Sequence, residues 1–136
     1  MSMMDTAALQ QTMGLCGTLD MRVESATKDL VALALDWAPS LTTTAGLMHG
    51  GAVMALADSA GGVCAFLNLP EGASGTSTIE SKTNFLGAVR EGTTIVASAR
   101  PLHVGSTTIV IETEVRRSAD DRLVAKVTQT QAVLRR

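Results

Sequence analysis

His49-Gly50-Gly51 opens the stretch that decides the fold. Ala52 to Ala57 follow, then Asp58, then a run of small and apolar residues ending at Phe66-Leu67. Two adjacent glycines at a helix start leave backbone N–H groups bare, ready to meet a developing negative charge. Asp58 stands among Ala57, Ala60, Gly61 and Gly62, where packing alone would select a hydrophobe. The neighbours it would face on a helix, Met54, Ala55, Gly61 and Gly62, offer no charge partner. An oxyanion donor plus a buried carboxylate is the minimum equipment for acyl transfer or hydrolysis.

If residues 50–67 form one helix, Gly50 and Asp58 are separated by about 12 Å at a rise of about 1.5 Å per residue. The two cannot touch one carbonyl within a single chain. Two antiparallel copies of the helix would set Gly50 of one beside Asp58 of the other, so the spacing points to composite sites across a symmetric dimer.

The 136 residues suffice for one domain with its own core, taken as 1–136 with 1–17 as an N-terminal helical segment. Hydrophobic residues are 46% of the chain and aromatics only 2%, so that core must be aliphatic. A net charge of -2 excludes the general basic field that nucleic-acid binding exploits. Cys16 and Cys64 are far apart and form no ligand cluster, which fits a reducing, cytoplasmic setting. Met1 to Asp5 carry no basic, apolar leader pattern, and no run approaches the length of a transmembrane helix, so no membrane partner is expected.

Outward from the helix, Asp5 can cap a short helix running to about Met13, with Gly14 as its stop. Residues 19–25 read as a strand, and the apolar run Leu30 to Trp37 as a strand buried on both faces, although its length also allows a helix. Pro39 and the polar cluster Ser40 to Thr44 precede the long helix, and Pro70-Glu71-Gly72 closes it. Residues 76–86, 93–103, 106–117 and 122–134 then read as four strands rich in Thr, Val and Ile. Within the third, Ile109, Ile111, Thr113 and Val115 alternate with Val110, Glu112, Glu114 and Arg116. One helix followed by four successive strands implies an α+β fold, an antiparallel sheet wrapped around the helix.

The chain resembles the hotdog-fold acyl-CoA thioesterases of the phenylacetate-pathway and 4-hydroxybenzoyl-CoA type. The resemblance rests on Gly46-Leu47-Met48-His49-Gly50-Gly51-Ala52, Leu56-Ala57-Asp58, Thr78-Ile79-Glu80, Asn84-Phe85-Leu86 and His103-Val104-Gly105-Ser106-Thr107-Thr108. It runs from about residue 18 to the C-terminus. It implies a hotdog fold, a homodimer or dimer-of-dimers tetramer, and hydrolysis of an acyl-CoA substrate without metal or other cofactor. It further implies that the Gly50 N–H polarises the thioester carbonyl, while Asp58 of the partner subunit attacks it or activates water. His49 would orient the site or hold the water, and Thr78 would position water or the acid. Thr43 and Gly51 would border the substrate. Gly105, Ser106 and Thr107 would lie near coenzyme A; Arg135 and Arg136, two cations on a slightly negative chain, are the candidate partners for its phosphates. The chain departs from the family at Thr43, where Asn or Gln is usual, at Gly62, where Ser or Thr is common in the branch that uses Glu, and at Gly87-Ala88.

Plainer readings stand beside these. Gly50-Gly51 can be a turn, Asp58 can lie at a solvated helix edge, and Thr78 can be simply a good strand residue. Glu112, Glu114, Arg116 and Arg117 suit a solvated face. There is no G-x-S-x-G, no zinc-ligand spacing, no G-x-G-x-x-G and no P-loop. Besides the thioesterase, two other functions fit the same residues. One is a hotdog hydratase or dehydratase using His49; the other is a non-catalytic acyl-CoA-binding module.

Overall fold

The computed structural model describes residues 4–136, so the first three residues of the 1–17 segment lie outside the described residues. Asp5 caps α1 (Thr6–Thr12) by accepting from the Ala8 N–H at 2.8 Å. This helix ends just before Gly14, as expected, but no strand follows yet. The chain bends at Met13, and Gly14 begins a second short helix, α2 (Gly14–Thr18). Strand β1 (Arg22–Ala26) therefore starts later than the pattern indicated, after Leu19 closes α2 and Asp20 takes a left-handed φ of 60°. Strand β2 (Val31–Asp36) is buried at every position through Leu35, which explains its unbroken apolar run. Two 3₁₀ turns, Pro39–Leu41 and Thr44–Gly46, lead into α3 (Gly50–Leu67).

The remaining strands are β3 (Gly75–Phe85), β4 (Thr94–Val104), β5 (Thr108–Arg117) and β6 (Leu123–Leu134). All pairings are antiparallel, and the sheet order is β1-β2-β4-β5-β6-β3. Strand β3 therefore lies at the far edge, paired with β6 on one side, and among the described residues no strand pairs with its other side. An irregularity between Thr78 and Glu80 leaves Ile79 as the extra residue opposite β6. Such a bulge re-aims side chains locally.

Helix α3 lies in the curve of this sheet, the hotdog arrangement. Its apolar side packs Val53, Leu56, Ala57, Ala60 and Cys64 against Leu33, Leu35, Ile95, Ile109, Ile111 and Val115. The core is aliphatic, as composition required. Both phenylalanines, Phe66 and Phe85, are exposed. The helix is 18 residues long and apolar enough by composition to cross a membrane, contrary to the expectation that no run approached that length. Its apolarity is used here inside the protein, because half of it is buried against the strands. Across the rest runs one stripe: Gly51, Met54, Asp58 and Phe66 are exposed, and Gly50 and Gly62 half-buried. Spacings of three and four place them on one face.

Candidate active site

The start of α3 is built by His49. Its backbone is extended (φ -63°, ψ 135°), and its ring Nδ1 accepts from the Gly51 N–H at 2.7 Å. The ring proton consequently resides on Nε2. A Cβ at Gly51 would come within 2.9 Å of that ring nitrogen, so glycine is what allows the imidazole to fold over the helix end. Of the two N–H groups expected to be bare, Gly51's is thus occupied. Gly50's finds no acceptor among the described residues. It points from a helix N-terminus, where the macrodipole favours negative charge.

Gly50 opens into a hollow of about 380 Å³ with Thr43, Leu47, Val53, Phe85 and Val124. The Phe85 ring lies over the glycine, 3.1 Å from where a Cβ would be. Thr43 is therefore beside Gly50, although its side chain is exposed and its N–H is used by Leu47 O at 2.8 Å.

Asp58 lines a second hollow of about 380 Å³ on the same helix stripe, with Met13, Gly62, Phe66, Thr78 and Gln131. The carboxylate is exposed in the single chain, not buried as its small apolar neighbours suggested. Small residues on this stripe keep the helix surface low and leave the acid uncovered. Nor is it without partners. Thr78 Oγ1 donates to Asp58 Oδ1 at 3.0 Å, and Gln129 Nε2 donates to the same oxygen at 3.1 Å. Gln131 Nε2 in turn donates to Thr78 Oγ1 at 2.5 Å. Among the described residues no donor reaches Oδ2.

The sequence reading missed the two glutamines. Thr128 to Gln131 is a run in which Thr and Gln alternate, and polar residues on both faces look solvated. A signal was present: the inward register of Ala125 and Val127 continues at steps of two to Gln129 and Gln131. Both are buried, at 0% and 2% exposure.

The segment Gly105, Ser106 and Thr107 turns between β4 and β5, with Gly105 N–H donating to Thr108 O at 2.9 Å. Val133 N–H donates to Thr107 O, and Val133 is paired with Thr76 of β3. Because Thr76 lines the Asp58 hollow, this turn lies at the same end of the molecule as the acid. Arg135 reaches it as well, donating to Ser106 O at 3.0 Å and to Glu71 O at 3.1 Å. Its guanidinium thus ties the chain end to two loops, and Arg136 is exposed beside it. Among the described residues there is no cluster of His, Cys, Asp and Glu able to hold a metal.

A six-stranded antiparallel sheet wrapped around one long helix is the hotdog fold. Residues 45–124 match the family model of the thioesterase superfamily. An inferred esterase of Deinococcus radiodurans is 32% identical over 115 residues, 85% of this chain and 75% of its own length. The 1,4-dihydroxy-2-naphthoyl-CoA hydrolase of Escherichia coli is 33% identical over 90 residues, 66% of this chain and 65% of its own. A thioesterase of Haemophilus influenzae superposes with a TM-score of 0.87 over 98% of this chain and 93% of its own, at 22% identity, a likeness of fold. The chain belongs to the thioesterase superfamily.

Proposed function

We propose that this protein hydrolyses an acyl-CoA thioester at a site completed by two copies of the chain. The observation that carries the reading is the exposed stripe of α3. One open N–H at Gly50 and one open carboxylate oxygen at Asp58 share that stripe about 12 Å apart, too far to act on one carbonyl from one chain. The unpaired edge of β3 and the exposed Met54, Phe66, Ile79 and Phe85 lie where a second copy would cover them.

In such a dimer the Gly50 N–H of one chain faces the thioester oxygen, and Asp58 Oδ2 of the other faces the carbonyl carbon. Asp58 either attacks directly or removes a proton from attacking water. Negative charge collects on the oxygen held by Gly50 and the helix end. Collapse breaks the C–S bond, and the thiolate leaves and takes up a proton. After direct attack, water cleaves the resulting anhydride. Both routes consume one water and yield the free acid and the coenzyme A thiol. Thr78 holds the acid, and His49 presents Nε2–H at the rim. The Gly105 to Thr107 turn, with Arg135 and Arg136, receives the nucleotide end.

A panel of acyl- and aryl-CoA thioesters, read by release of free thiol, tests the reading. Turnover of at least one class by the intact protein is expected. Tight stoichiometric binding with no thiol release from any of them would replace hydrolysis with mere binding.

A further inference from the structure

We infer that Gln129 and Gln131 are positioning residues that fix the Asp58 carboxylate and leave Oδ2 as its reacting oxygen; this rests on the hydrolytic reading above. Two amides buried side by side on the inner face of β6 are costly in an aliphatic core unless each meets a partner. Their partners are the acid and the hydroxyl that holds it. Gln131 donates to Thr78, Thr78 donates to Asp58 Oδ1, and Gln129 donates to Asp58 Oδ1. Two donors on one oxygen and none among the described residues on the other make the carboxylate asymmetric. Exchanging the two oxygens by rotation would break both bonds.

The orientation of Gln129 follows from charge. Its NH₂ must face the carboxylate, because the reversed amide would set oxygen against oxygen. That turns Gln129 Oε1 inward, where it is buried with no hydrogen-bond partner among the described residues. It rests on the helix at Gly61, where a Cβ would lie only 1.9 Å from Oε1 and 2.4 Å from the amide carbon. Gly61 is thus the space that lets the amide reach Asp58, three residues earlier on the same helix. A buried acceptor left unsatisfied is a cost that packing does not require, since leucine would fill the same place. The amides also hold the acid without a formal positive charge, which would weaken it as a base or nucleophile.

Three variants test this role, with kcat and KM measured on the best acyl-CoA of the panel. Gln129→Leu is expected to lower kcat roughly 10- to 100-fold, as small misplacements of reacting groups do, with KM within about twofold. The same variant should keep or raise Tm. Gly61→Ala should lower both Tm and kcat. Adding Gln129→Ala to Gly61→Ala removes the clash and should restore Tm but not kcat. A folded Gln129→Leu protein with wild-type kcat, or a double variant that regains kcat with Tm, overturns the positioning role while leaving thioester hydrolysis standing. Absence of hydrolysis by the wild-type protein would instead overturn the reading on which the role rests. The bond itself is read independently of activity from the ¹⁵N side-chain resonance of Gln129. That resonance should shift in Asp58→Ala, and an unmoved signal contradicts the clamp.

Discussion

Asp58 Oδ2 and the Gly50 N–H are the two polar atoms of the α3 stripe that the described residues leave unpartnered, and each has a clean substitution. Asp58→Asn keeps the size and the ability to accept from Thr78 and Gln129, so the fold should survive while kcat falls about a hundredfold or more. Gly50→Pro deletes one N–H at the first helical position, where proline is tolerated. The extended backbone of His49 also suits a residue preceding proline. With Phe85 giving way slightly, kcat should drop about 10²- to 10³-fold. Steady-state kinetics on folded variants checks both. His49, Gly50, Asp58 and Thr78 were legible as residue types at a telling spacing. That His49 occupies the Gly51 N–H was not, because a histidine cap depends on ring orientation. Gln129 and Gln131 escaped because their partners lie 71 and 53 residues away in sequence.

At the scale of elements, helix α3 and the strands beside it carry two further expectations. Cys64 sits on the core side of α3, where burial, assisted by the negative charge of Asp29, pushes its thiol up to about 11. It should stay protonated and resist alkylation at pH 8 until the protein unfolds, which mass spectrometry of iodoacetamide-treated protein would show. Rapid labelling of folded protein would mean the helix opens locally. On the other side of the sheet, Asp36 of β2 accepts from Thr94 of β4 at 2.6 Å and from Arg22 of β1 at 3.0 and 3.1 Å. These bonds hold its carboxyl below the ordinary 3.8. A depressed carboxylate contributes stability that is fully present above its unfolded value and is lost as pH falls through the lower folded one. Asp36→Asn should therefore cost under about 1 kcal/mol at pH 7, because the group is exposed, with the difference from wild type closing in acid below that value. Thermal melts at pH 7 and pH 3 measure it. The helix and six strands could be read from periodicity and turn residues within a few positions. The strand order could not, since sending β3 past the sheet to the far side of β6 is decided by long-range pairing. Nor could the left-handed Ala45 (φ 62°) in the turn before α3, a conformation alanine rarely adopts.

On the proposed reading each chain carries the acid and the oxyanion donor once, on the same helix, about 12 Å apart, beside the outer edge of β3. On that reading the substrate's nucleotide end lies near the turn at Ser106, which Arg135 contacts, with Arg136 exposed next in the chain. Exposed phosphate contacts are screened within about 8–10 Å at physiological salt. Arg136→Gln should therefore raise KM for acyl-CoA more at low than at high salt, with kcat unchanged and no effect on an N-acetylcysteamine thioester. Equal losses on both substrates would remove the nucleotide from this end. The proposed dimer was legible only through a distance argument, because a surface that a partner would cover looks in sequence like ordinary strand and helix.

The most direct measurement mixes the two inactive proteins, Asp58→Asn and Gly50→Pro, allows subunits to exchange, and records thiol release from an acyl-CoA. Each heterodimer would hold one intact site and one doubly broken one. With statistical exchange, activity should return to about a quarter of wild type from two nearly dead parents. If exchange is demonstrated and the mixture stays as inactive as its parents, or if the wild-type chain is fully active as a monomer, the shared site is contradicted.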